Sequence, residues 1–88
     1  LINNANKAAY TVSGTCSEEG RNVSLNIGGA TGSVACSSGS WSITLDVTAA
    51  ADSPTRSVVA THTNSGGNSD SDTVNVVKDT VNPTIAIT

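Results

Sequence analysis

The chain contains no phenylalanine and no methionine, one tryptophan (Trp41) and one tyrosine (Tyr10). An interior built with so few large side chains is thin, so stability must come partly from elsewhere. Charge is scarce too: Asp, Glu, Lys and Arg make up 12% of the residues, with a formal net charge of −3. Lys7, Arg21, Arg56 and Lys78 stand singly, so there is no basic patch to follow a nucleic-acid backbone. No apolar run approaches the roughly 18 residues of a membrane-crossing helix, which argues against insertion in a membrane. There is a single histidine, His62, and any Ser-His-Asp or Cys-His arrangement would have to use it. By alternation His62 shares a strand face with Val58 and Ala60, where a hydrogen-bonded histidine near a sheet edge is the expectation. No phosphate loop, zinc cluster or catalytic carboxylate pair is visible, so neither an enzyme nor a bound cofactor is expected.

What is present is the vocabulary of strands and turns. Ser, Thr, Asn and Gly supply the polar mass, and they suit sheets and tight turns rather than helices. Ser40 to Val47 is the clearest stretch: Trp41, Ile43, Leu45 and Val47 alternate with Ser42, Thr44 and Asp46. Successive strand side chains point to opposite faces, so this segment reads as a strand with one buried and one wet face.

The same period recurs along the chain. Tyr10, Val12, Gly14 and Cys16 share a face between about Ala8 and Ser17, after an Asn-rich lead-in from Leu1 to Lys7. Val23, Leu25 and Ile27 form a second row, closed by Gly28-Gly29, and Val34 with Cys36 a short third. After the Trp41 strand, Thr48 to Pro54 reads as a crossover loop, then Val58, Ala60 and His62 as the next strand. Asn64 to Asn68 is a turn, and Val74 and Val76 complete the set. Thr84 to Thr88 is a further strand-like run, set apart by Pro83, which has no N–H to give a ladder. Closely spaced strands without a helical period predict an all-β antiparallel sandwich of about seven strands. Its expected core is Tyr10, Val12, Leu25, Trp41, Ile43, Leu45, Val58, Val74 and Val76. The length permits one domain, placed at 1–79, with 80–88 as linker plus strand-like tail. The lack of an initiating Met and of a leader suggests a piece of something longer.

Cys16 and Cys36 are the only cysteines, and neither has a partner at metal-ligand spacing. A disulfide between them is the leading expectation, with two buried thiols and a reactive pair as alternatives. Closing a loop of that length would stabilise a thin-cored domain by about 3 kcal/mol and would imply an oxidising compartment.

Four stretches resemble the Ig-like repeats strung in tandem in large bacterial surface adhesins. They are Val12-Ser13-Gly14-Thr15, the run from Gly39 to Leu45 around Trp41, the run from Val58 to Asn68, and Asp79-Thr80-Val81-Asn82-Pro83. The resemblance implies an Ig-like sandwich in which the last stretch marks a junction and Thr84 to Thr88 opens the following repeat. It departs from the family in Cys16 and Cys36, since such repeats usually lack cysteine, and in His62, where relatives tend to carry a small apolar residue. Antibody-type domains place their Trp between two cysteines; here both precede it.

Some repeats of this type hold calcium between neighbours, which makes Asp70, Asp72 and Asp79 the candidate ligands, with no other cofactor implied. Calcium takes six to eight oxygens. Asp70 and Asp79, at opposite ends of a strand, would lie roughly 30 Å apart and could not share an ion within one domain. Lys7 or Lys78 joined to an Asn by an isopeptide bond would need a buried acid beside the pair, and none stands out. The functional expectation is a non-catalytic spacer in a secreted or surface-anchored adhesin, with neighbouring repeats as partners. Two alternatives remain: a fibre subunit that donates 84–88 to another chain, and a module that binds a glycan or host protein through its loops. The loops lack the aromatic enrichment of a binding hot spot.

Overall fold

A computed structural model describes all 88 residues. The alternating rows become six strands: β1 (Tyr10–Thr15), β2 (Asn22–Ile27), β3 (Ala30–Ala35), β4 (Ser40–Leu45), β5 (Ser53–Thr63) and β6 (Ser69–Lys78). The chain is all-β, and no helix is long and apolar enough to cross a membrane. β1 and β4 form a two-stranded sheet, while β3-β2-β5-β6 form a four-stranded one, with every pairing antiparallel. The two sheets face each other across a shared core, an arrangement compatible with a β-sandwich.

Turn chemistry sets the register locally. Ile27 pairs with Ala30, leaving Gly28 and Gly29 as a two-residue hairpin loop with φ of 57° and 96°. Both values are left-handed, as the tight turn matched to strand twist requires, and glycine adopts them without steric cost. Gly14 answers a different need. A Cβ built there would lie 2.9 Å from Trp41 Nε1, so the missing side chain lets the indole lie across β1. Pro54 sits near the start of β5, where the register with β6 is irregular between Ser53 and Arg56, a position that tolerates a residue without an N–H. The crossover loop is correspondingly shorter than Thr48 to Pro54.

Leu25, Ile27, Ile43 and Val58 join Ile2, Val47 and Ala50 in one buried cluster. Tyr10, Val12, Trp41, Leu45 and Val76 pack half-buried against it. Trp41 therefore belongs to the core's margin, its Nε1 donating to the Thr15 carbonyl at 3.2 Å.

Two expectations need correction. Val74 is 53% exposed. Its pairing with Val58 puts it on the inward face of β6, but a sheet two strands wide does not reach across one four strands wide. Thr84 to Thr88 forms no seventh strand; Ile85 is 95% and Ile87 fully exposed. The lead-in, by contrast, contributes a central residue. Ile2 is wholly buried and bridges Lys78 in parallel.

Candidate functional site

The most elaborate polar arrangement gathers where the chain leaves the sheets. Ile2 N–H donates to Val77 O at 2.8 Å, and Asp79 N–H donates to Ile2 O at 2.9 Å, so the lead-in is laced to the end of β6. Beside this pairing the Lys78 side chain is 2% exposed. A buried ammonium is costly unless paired, and Lys78 Nζ meets Asp52 Oδ1 at 3.1 Å. Asp52 then reaches the linker: its Oδ2 accepts from Thr80 N–H at 2.8 Å and its Oδ1 from the Thr80 hydroxyl at 2.9 Å. The Thr80 N–H, and next the Lys78 ammonium, hold the Asp52 carboxyl below its ordinary value. From the other side Asn4 Nδ2 donates to Thr80 O at 2.8 Å and to Asn82 Oδ1 at 2.7 Å, while Lys7 Nζ donates to Asn4 Oδ1 at 2.8 Å.

Chemically this is a clamp. Its groups are engaged with one another, and together they fix the direction in which residues 79–82 depart. The lysine–asparagine pairing considered for an isopeptide bond is not assembled in the interior: Lys78 meets a carboxylate rather than an asparagine, and Lys7 meets Asn4 at an exposed site. Thr80 and Asn82 lie in the Asp79 to Pro83 stretch that the resemblance marks as a junction, but Ile2, Asn4 and Asp52 carried no local signal of this role. These residues are up to 78 apart in sequence and meet only through the fold.

The opposite pole is tied covalently. Cys16 and Cys36 form a disulfide with a Cα–Cα distance of 6.0 Å across a separation of 20 residues. Cys16 follows β1 and Cys36 follows β3, so the bridge joins the two sheets, and it is consistent with an oxidising environment. His62 lies at the same end. Its Nε2 accepts from Glu18 N–H at 3.1 Å, and its Nδ1 lies 3.2 Å from Asn22 O. A neutral ring protonated on Nδ1 satisfies both contacts, and His62 thereby fastens the β1–β2 turn to β5.

Between these poles a cleft of about 660 Å³ opens between β1 and the β5–β6 face, bounded by Val12, Trp41, Val58, Ala60 and Val74. Asp70 and Asp72 line it too, opposite His62 and Ala60. Asp79 stands beyond the far end of β6, so the three candidate calcium ligands do not converge. No group of three or more His, Cys, Asp or Glu gathers where it could hold a metal ion. Known protein families, curated proteins and solved structures provide no match to this chain.

Proposed function

We propose that this chain is an Ig-like repeat of a bacterial surface adhesin, a non-catalytic spacer that transmits direction and tension between neighbours. The observation that carries this reading is the clamp on residues 79–82, which makes the exit of the chain a built feature of the domain. A flexible connection would not need Asn4 and a lysine-paired Asp52 to hold it. Shape supports the same reading. The Cα trace extends 65 Å along one axis and 19 and 17 Å across it, whereas the eleven residues of β5 span only about 36 Å. The linker and tail therefore project beyond the sheets. An interior of aliphatic residues and a sheet-to-sheet disulfide suit a load-bearing part placed outside the cell or in secreted material.

The test is a protein with two copies joined in tandem, measured by small-angle X-ray scattering. An extended particle of defined length is expected, and Asp52→Ala with Asn4→Ala should broaden its length distribution. Two copies tumbling independently in the unsubstituted protein would defeat the reading. The fibre-subunit alternative draws on the exposed Ile85 and Ile87, which suit a strand given to another chain. The ligand-binding alternative has less behind it, because Tyr10 and Trp41 both lie in strands and no loop carries an aromatic residue.

A further inference from the structure

We infer that the outer edge of β6 is a pairing surface for a second copy of this chain, the two joined edge to edge about a two-fold axis at Thr73. This is a contact between chains rather than along one, so it goes beyond the spacer reading. Only its placement between arrays that face each other rests on that reading.

β6 closes one side of the four-stranded sheet, and Ser69 to Asn75 are all exposed. An edge of this kind carries a row of free N–H and C=O groups on which another strand can form. Pro and Lys, common guards of such edges, are absent from Ser69 to Val77. Ile2 reveals which residues supply the row. Lys78 has Ser53 of β5 on one side and Ile2 on the other, and Ile2 bonds Val77 O and Asp79 N–H. Backbone groups of successive strand residues face opposite edges, so those of Ser71, Thr73 and Asn75 face outward with Val77. Ser71 N–H donates to Asp70 Oδ1 at 3.0 Å, as an outward-facing amide can. The extra residue near Ser53 falls in β5, which leaves the phase of β6 intact.

The register follows from symmetry. Two copies of one strand pair antiparallel about a two-fold axis. That axis must bring outward-facing residues together, which places it at a residue and not between two. At Ser71 it would set Asp70 opposite Asp72, and at Asp72 it would set that carboxylate against its own copy; directly opposed like charges are unfavourable. At Val74 it would drive Ser69 against Asp79, whose N–H Ile2 already holds. At Thr73 neither conflict arises. Ser71 then faces Asn75, Asp72 faces the exposed Val74, and Asp70 faces Val76. The ends of the free edge, Ser69 at the turn and Val77 beside Ile2, fall opposite each other. Asp72 and its copy remain diagonal neighbours about 7 Å apart, so the contact strengthens as salt screens them. The axis also points the two exit poles in opposite directions, which suits spacer arrays that approach from opposite sides. One strand edge is small beside the ~1,200 Å² of a stable complex; repetition along the arrays multiplies its strength.

Analytical ultracentrifugation of the 88-residue chain up to about 1 mM, with amide exchange followed by NMR, tests the assignment. The expected result is a monomer–dimer equilibrium that tightens severalfold between about 0.02 and 0.5 M NaCl. In the dimer the Thr73 and Asn75 amides should exchange more slowly than in the monomer. Asp72→Asn should tighten pairing at low salt and remove most of its salt dependence. Thr73→Lys and Thr73→Glu each set like charges together at the axis and should weaken self-pairing by about threefold, whereas an equal mixture of the two should recover it. Thr73 is exposed, so both variants should keep their fold, and unchanged melting temperatures check it. A chain that stays monomeric at about 1 mM in 0.5 M NaCl would overturn the inference. So would a dimer whose Thr73 and Asn75 amides exchange freely, or two Thr73 variants that pair no better mixed than apart. These measurements use single chains and the scattering of tandem copies reads exit direction, so each idea can fail while the other stands.

Discussion

β2 and β6 belong to the same sheet and carry the same alternating pattern, yet they are buried very differently. Val23, Leu25 and Ile27 on β2 are at most 1% exposed, because β2 lies inside the large sheet with the facing layer above it. On β6 the corresponding row runs Asp70, Asp72, Val74, Val76 and Lys78, and only its last two positions are covered. Alternation reports which way a side chain points. Whether anything lies in front of it depends on how far the opposite layer extends.

The sharpest way to break this contrast is at its buried end. Leu25→Ala should destabilise the chain by about 3 kcal/mol, since the lost methylenes leave a cavity that a close-packed interior only partly refills. Denaturant melts would show it, and a loss below about 1 kcal/mol would mean that β2 is not the centre of the core. Removing the bridge with Cys16→Ala and Cys36→Ala should cost a comparable amount, about 3 kcal/mol on the chain-entropy account. Intact mass before and after reduction verifies the bond itself, which makes the chain about 2 Da lighter than the dithiol form.

The exit clamp should be visible in pH. The folded chain holds the Asp52 carboxyl below its ordinary 3.8, so at low pH the unfolded state binds that proton more readily. Its stabilising contribution is complete above about pH 4 and is lost as the pH falls through the lower folded value. Asp52→Asn should therefore flatten the acid limb of the stability curve, and a limb as steep as that of the original chain would remove the carboxylate from the clamp. At the open end of the contrast, Val74→Ala should change the stability of the isolated chain by less than about 0.5 kcal/mol; a loss like that at Leu25 would mean that β6 is already covered. Smallest of all, calcium added to the isolated chain should leave its melting temperature unmoved, because Asp79 lies apart from Asp70 and Asp72. A rise would require ligands other than those three acids.

The strands were the most legible part of the molecule. Rows at Trp41, Ile43 and Leu45 and at Val23, Leu25 and Ile27 are local, and strand geometry converts them directly into faces. The hairpin at Gly28-Gly29 and the turn at Asn64 to Asn68 were readable for the same reason, since their residue types meet specific backbone demands. The burial of Ile2 was not readable, because a single bridge to Lys78, 76 positions away, leaves no repeat in the sequence. The partners that hold the junction were hidden likewise: Asp52 and Asn4 are unremarkable until the start of β5, the end of β6 and the lead-in meet at one pole.

The sequence by itself determined the all-β class, the inward and outward faces of each strand, and the cysteine pair available for bridging, because these depend on a period of two and on residue chemistry. Tertiary structure alone decided which inward faces are covered, that the lead-in pairs beside the buried Lys78, and which distant groups meet at the exit pole. Those outcomes depend on the widths of two sheets and on contacts between residues distant in the chain, neither of which a local pattern encodes.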